Sequence, residues 1–274
     1  MMDLKGKVAW ITGGATGIGG ATGKLLHEEG CKLLITARRK EVGDAYVAQF
    51  GDDAIFVPAD NGKPNELKAA AAAAVKKWGH LDLLVNCAGT ASQGNFLAWD
   101  DEEEEAATAA FERGIKINLV GSYHAARIAA HYMMMNEPEG DYGERGAIVL
   151  VGSMASDKVF IPYQAEILQA VAAGYDFGYG SSKAALLGLN RDLAVFLSPY
   201  GIRCNIMKPG LFVTEIAGKY DDRHTMGDGA FVPDQLFPKG EGGQPEYAAS
   251  LAVELLRNPF MNREAVAIDA GIVR

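Results

Sequence analysis

The densest stretch of chemistry in the chain is Tyr179-Gly180-Ser181-Ser182-Lys183. Tyr and Lys stand at i and i+4, which puts both on one face of a helix start. A phenol has a pKa of about 10 and is a poor base at neutral pH. A neighbouring ammonium favours the phenolate, each unit of lowering being worth about 1.4 kcal/mol. Tyr179 could then give a proton to a ketone or take one from an alcohol. Ser153, in Val151-Gly152-Ser153, carries a hydroxyl at the expected end of a strand, where it can hold a substrate oxygen as charge develops. Asn118, in Lys116-Ile117-Asn118-Leu119, is an amide among apolar neighbours; it needs a partner and could support a water relay to Lys183. Singly these signals are weak. Tyr-x-x-x-Lys is more often surface decoration, and a lone serine there is a strand-end cap. Their joint placement carries the reading.

A second constellation points to a dinucleotide. Thr12-Gly13-Gly14-Ala15-Thr16-Gly17-Ile18-Gly19 follows an apolar run and opens a helical one. Glycines let a backbone approach a pyrophosphate, and a helix N-terminus offers free N–H groups and positive potential. The spacing departs from G-x-G-x-x-G, with Thr22 at the third glycine position. Such a turn alone could be only a tight turn; here strand, turn and helix agree. The next apolar run ends Thr36-Ala37-Arg38-Arg39-Lys40. NAD sites place an acid at this distance for the ribose 2′-hydroxyl. Arg38 and Arg39 would instead grip a 2′-phosphate, so the expected cofactor is NADP; the bland alternative is a solvated basic loop. Asp60 could hold the adenine edge, with Asn61 beside it. In Asn86-Cys87-Ala88-Gly89, small residues would let the chain pass close to the cofactor.

The elements that must position these residues alternate. Strands are expected at 7–12, 32–36, 54–57, 81–86, 147–152, 202–207 and 265–268. Helices are expected at 17–30, from about 40, and at 64–78, 101–135, 179–197 and 245–256. Short apolar strands separated by helices predict an α/β fold, a Rossmann-type doubly wound sheet of about seven parallel strands with helices on both faces. The expectation is a single domain over 1–274, with a substrate-lid insertion at 154–178 and a mobile substrate loop at 211–243. Tyr163, Tyr175 and Phe177 in the insertion are candidate substrate contacts, together with Ser153 and Tyr179. The 101–135 and 179–197 helices are apolar beyond one face, which predicts a homo-oligomer, dimer or tetramer.

Composition excludes other classes. Of the 274 residues, 49% are apolar and the formal charge is −9, so a packed core is expected and nucleic acid and membrane surfaces are disfavoured partners. The first apolar run, Val8 to Ile11, is too short for a signal peptide or span. Three scattered cysteines, Cys31, Cys87 and Cys204, fit buried reduced thiols and a cytoplasmic location. The five histidines make no metal-ligand spacing, and no metal is expected. The acidic run Asp100–Glu105 suits a helix N-terminus.

These pieces together resemble the short-chain dehydrogenase/reductase family from about Leu4 to Arg274. They are Thr12–Gly19, Asp60, Asn86–Gly89, Asn118, Ser153, Tyr179–Lys183 and Pro209-Gly210 with Thr214. The resemblance implies a catalytic set of Asn118, Ser153, Tyr179 and Lys183, with Lys183 also holding the nicotinamide ribose. It extends the cofactor contacts to Pro209, Gly210, Phe212 and Thr214. Within the family, Asn136-Glu137-Pro138, Pro209-Gly210-Leu211-Phe212 and Asn258-Pro259-Phe260-Met261-Asn262 resemble type II 3-hydroxyacyl-CoA dehydrogenase-like members. Arg38 differs from that NAD-linked type, and the 26 positions between Ser153 and Tyr179 are about twice the usual family gap. The expected activity is NADP-dependent interconversion of a hydrophobic ketone (alicyclic, steroid-like or aryl) and its secondary alcohol. The alternatives are an acyl-CoA substrate and, from another class, an NADP(H)-binding sensor without turnover.

Overall fold

The computed structural model describes residues 1–91, 99–158, 177–214 and 242–271. Seven strands form one sheet: β1 (Val8–Thr12), β2 (Lys32–Ala37), β3 (Ala54–Pro58), β4 (Leu83–Asn86), β5 (Gly146–Val151), β6 (Ile202–Pro209) and β7 (Ala265–Ile268). Their order is β3-β2-β1-β4-β5-β6-β7, and every pairing is parallel. This is the Rossmann-type doubly wound sheet.

Helices cover both faces because every crossover between parallel strands needs one. They are α1 (Gly17–Glu28), α2 (Lys40–Val47), α3 (Pro64–Trp78), α4 (Asp101–Gly114), α5 (Gly121–Met133), α6 (Phe177–Leu197) and α7 (Pro245–Arg257). Alternate residues of one strand feed opposite cores. Val8 and Trp10 of β1 pack with α3, α5 and α6 through Ala70, Ala74, Ala129, Met133 and Leu186. Ala9 and Ile11 pack with α1 and α7 through Leu26, Ala252 and Leu256. All five residues of β1 are therefore buried, and the buried Trp10 indole keeps a partner, donating to Thr36 Oγ1 at 3.0 Å.

The helix expected over 101–135 is not continuous. A π turn, Ile115–Val120, separates α4 from α5, and Gly121 N–H reaches back to Lys116 O. Hydrophobic periodicity does not register the one extra residue. The acidic start of α4 is a cap: Asp100 accepts from Glu103 N–H at 3.0 Å, with four further carboxylates in the first turn. Beyond their buried faces, α4 to α6 expose Phe111, Val120, Tyr123, Val195 and Phe196.

Far from the strands' carboxyl ends, buried Arg203 donates from Nε to Glu144. Its remaining N–H groups bond Leu255 O and Leu256 O, two carbonyls at the end of α7, and Met261 O beyond it. Removing the carboxylate alone would leave a buried, uncompensated guanidinium. Glu144→Leu is expected to lower stability by about 3–5 kcal/mol, read as a fall in the urea midpoint with an unchanged slope.

Candidate active site

Among the described residues, the crevice-lining candidates lie near the strands' carboxyl edge. β1 ends at Thr12, whose Oγ1 donates to Asn86 Oδ1 at 2.6 Å and accepts from Ala88 N–H at 3.1 Å. This clasp ties the ends of β1 and β4, where strand order reverses. Gly13 follows with φ +62°, and a Cβ there would lie 2.9 Å from Ala88 Cα. A Cβ on Gly19 would lie 2.4 Å from Gly13 O. The turn therefore closes only with glycines, and it leaves the N-terminus of α1 facing open space.

That space is a crevice of about 660 Å³. Gly13, Thr16, Gly17, Ile18 and Gly19 line one wall; exposed Arg38 and Arg39 mark its outer end. Asp60 and Asn61 stand beyond β3, and Ala88 and Gly89 beyond β4. Ser153, Tyr179 and Lys183 line the inner end with Pro209, Gly210, Phe212 and Thr214. Asn86 and Asn118 lie behind the wall. Asn86, an expected cofactor contact, accepts from Thr12 and is not among the crevice-lining residues. Phe177, an expected substrate contact, opens α6, is 41% exposed and is not among the crevice-lining residues. Tyr163 and Tyr175 lie outside the described residues, as do 159–176 of the expected insertion and 215–241 of the expected loop.

Ser153 lies two residues past β5 rather than in it. It caps a short turn, Met154–Ser156, accepting from Ala155 N–H at 3.2 Å. Lys183 is 4% exposed. Its Nζ donates to Val151 O at 2.7 Å and stands 5.6 Å from the Tyr179 ring centroid. Burial pushes the Lys183 ammonium down to about 8, opposed by the Cys87 thiol. Cys87 itself is pushed up to about 12 by burial, which makes it a poor nucleophile.

Asn118 is fully buried. Its Oδ1 accepts from Thr90 N–H at 2.8 Å; its Nδ2 donates to Thr90 O at 3.0 Å and to Ser182 Oγ at 2.9 Å. The amide thus pairs with the loop after β4 as a strand would, and Ser182 Oγ passes the link to Tyr179 O at 2.8 Å. Ideal Cβ positions on Gly89 would lie 3.4 Å from Asn118 Oδ1 and 3.5 Å from Lys183 Nζ. Sequence reading missed Thr90, Met154 and Leu211 in the lining and Ser182 as a bridge. Thr90 adjoins the Asn86–Gly89 motif and Ser182 lies inside the Tyr179–Lys183 motif, and that placement is the available signal.

A doubly wound sheet with its crevice at the switch point, and a Tyr–Lys pair at the inner end, defines the class of nicotinamide-dinucleotide oxidoreductases. Residues 7–225 match the short chain dehydrogenase family, and the chain belongs to it; it is an oxidoreductase acting on CH–OH donors. It is 33% identical over 269 residues to 3-hydroxyacyl-CoA dehydrogenase type-2 of Drosophila melanogaster, covering 98% of each chain. It is 28% identical over 275 residues to ipsdienol dehydrogenase of Ips pini, covering 99% of each. A solved short chain dehydrogenase from Burkholderia cenocepacia, in complex with NADP, superposes with TM-score 0.77 at 28% identity, over 98% of this chain and 99% of that one.

The buried ammonium has a measurable consequence. Lys183 titrates lower folded than unfolded, so its desolvation cost is fully present below about 8 and relieved as pH rises toward the ordinary lysine value. Lys183→Met should therefore raise the thermal midpoint of the ligand-free protein at neutral pH, by the equivalent of about 1–3 kcal/mol after loss of the Val151 bond. The advantage should shrink steadily in melts taken at increasingly alkaline pH.

Proposed function

We propose that the chain interconverts a hydrophobic ketone and its secondary alcohol with NADP, using Tyr179 as the acid/base. The observation that carries this reading is the Tyr179–Lys183 pair sharing one crevice with the glycine turn and Arg38. The residues fit a dinucleotide. Gly13 and Gly19 leave a cradle that a Cβ would fill, and α1 directs its free N–H groups there. Arg38 and Arg39 would hold the 2′-phosphate, Asp60 the adenosine, and Lys183 the nicotinamide ribose. When bound, the nicotinamide supplies or accepts the hydride at the carbonyl carbon.

The protein's part is positioning and proton transfer. Ser153 Oγ would donate to the substrate oxygen, and Tyr179 would deliver the proton in reduction or remove it in oxidation. Protonated Lys183 favours the phenolate left on Tyr179. Met154, Leu211 and Phe212 make the inner lining apolar and support an apolar substrate. A 3-hydroxyacyl-CoA substrate is the second reading, favoured by the similarity to the type-2 enzymes. The exposed apolar side chains of α4 to α6 support a homo-oligomer, dimer or tetramer.

Two measurements test the reading. NADPH should bind more tightly than NADH, and Arg38→Ala should erase most of that difference, since a charge-assisted phosphate bond contributes about 1.5–3 kcal/mol. Equal affinities in the unmutated protein would sink the assignment. Tyr179→Phe should keep NADPH affinity while turnover over a ketone panel falls about 10²–10⁴-fold. Normal turnover in that variant would remove Tyr179 from the chemistry.

A further inference from the structure

The π turn before α5 widens the helix and turns its carbonyls toward side chains. Asn118 O receives Ser122 Oγ at 2.5 Å, and Ile117 O receives Asn61 Nδ2 at 2.8 Å. Asn61 reaches this carbonyl from the loop after β3, 56 positions away in the chain. The fit is close: a Cβ on Gly121 would lie 2.4 Å from Asn61 Nδ2 and 2.5 Å from Asn61 O. Asn61 is 5% exposed, and its Oδ1 is buried with no hydrogen-bond partner among the described residues. A buried amide that leaves its oxygen unsatisfied is costly, so what its nitrogen does calls for explanation. The nitrogen holds the residue next to Asn118, whose own amide fixes Thr90 and Ser182.

We propose that Asn61 is a positioning residue, whose side chain holds the π turn so that Asn118 keeps Thr90 and Ser182 in register around Tyr179. Asn61 and Ile117 both line the crevice, so the contact links its adenosine end to the catalytic end. The side chain then acts through Ile117 O rather than by direct contact with a cofactor. This inference rests on the reading of Tyr179 and Asn118 as active-site groups.

The test measures turnover at saturating NADPH, NADPH affinity and the pH profile of kcat. Asn61→Leu keeps the side chain's size and removes the donor; Asn61→Ser is the alternative should the leucine variant fold poorly. Gly121→Ala reaches the same contact from outside the crevice, because the new methyl displaces the Asn61 amide. Each should lower kcat by at least about tenfold, the scale of small misplacements, shift its pH profile and leave NADPH affinity unchanged. Because both act through one contact, the double variant should be no worse than the poorer single one. Loss of NADPH affinity with kcat intact would make Asn61 a cofactor contact and overturn the inference, as would unchanged kinetics. Asn118→Ala separates the two levels. If it keeps full turnover, the active-site reading fails; if it loses turnover while the Asn61 and Gly121 variants do not, only the role of Asn61 fails.

Discussion

The clasp between the ends of β1 and β4 is the contact on which the site depends. Thr12 Oγ1 bonds Asn86 Oδ1 and Ala88 N–H at once. These strands are neighbours in space but lie on either side of the point where sheet order reverses. The chain leaving β1 turns into α1, while the chain leaving β4 heads for α4 on the other face. A crevice opens between them because no single crossover can cover both ends. The clasp sets its floor: Gly13 meets Ala88 so closely that a methyl group does not fit. The glycine turn, the Gly89–Thr90 loop and, through Thr90, the Asn118 amide all take their positions from this junction.

Electrostatics divide the crevice into two ends. The chain carries a formal charge of −9, yet the outer end presents Arg38, Arg39 and the free N–H groups of α1. The inner end hides a lysine in a setting that disfavours its charge. Such an arrangement is expensive for the empty protein and useful to a bound one, since an anion nearby restores what burial removes. Stability is given up where chemistry is needed, a trade common at functional sites. Arg203 shows the contrasting structural solution: equally buried, it is paired with Glu144, two helix-end carbonyls and Met261 O.

Most of the frame was legible in the sequence because its signals are local. β7 and α3 have the bounds expected for them, and the other strands differ by one or two residues at their ends. Buried parallel strands read as apolar runs, and Pro64 and Gly79 punctuate α3 at both ends. The glycine turn and the Tyr-x-x-x-Lys pair were equally visible, since each lies within one short segment. What escaped depends on distant partners. The π turn adds one residue without disturbing the apolar pattern enough to show, and is held by Asn61, which lies far back in the chain. Asn86 reads like a cofactor contact from its place after a strand, but its partner is Thr12, 74 positions away. Phe177 reads like a wall residue because both neighbouring motifs are read as catalytic; it opens α6, part-exposed, next to residues outside the described ones.

The inner end also bears on the choice between a compact ketone and an acyl-CoA. A coenzyme A thioester brings its own phosphates, which need cations beyond those that would grip the dinucleotide. Two lysines flank the turn after Ser153, and both already face carboxylates. Lys158 Nζ bonds Asp269 at 2.6 Å, and Lys208 Nζ bonds Asp157 at 2.6 Å. Asp269 packs directly on Gly210, where a Cβ would lie 2.7 Å from its Cα. Recruiting Lys158 to a phosphate would leave the buried Asp269 carboxylate without this partner, whereas Asp157, which faces Lys208, is already exposed. Neutral apolar substrates make no such demand. Among the described residues, the two lysines beside this turn are thus engaged with carboxylates, while the chain is similar along its length to enzymes named for acyl-CoA substrates. Fold similarity follows the sheet and the dinucleotide cradle; substrate choice follows the few side chains around Ser153, and these can change without disturbing the rest.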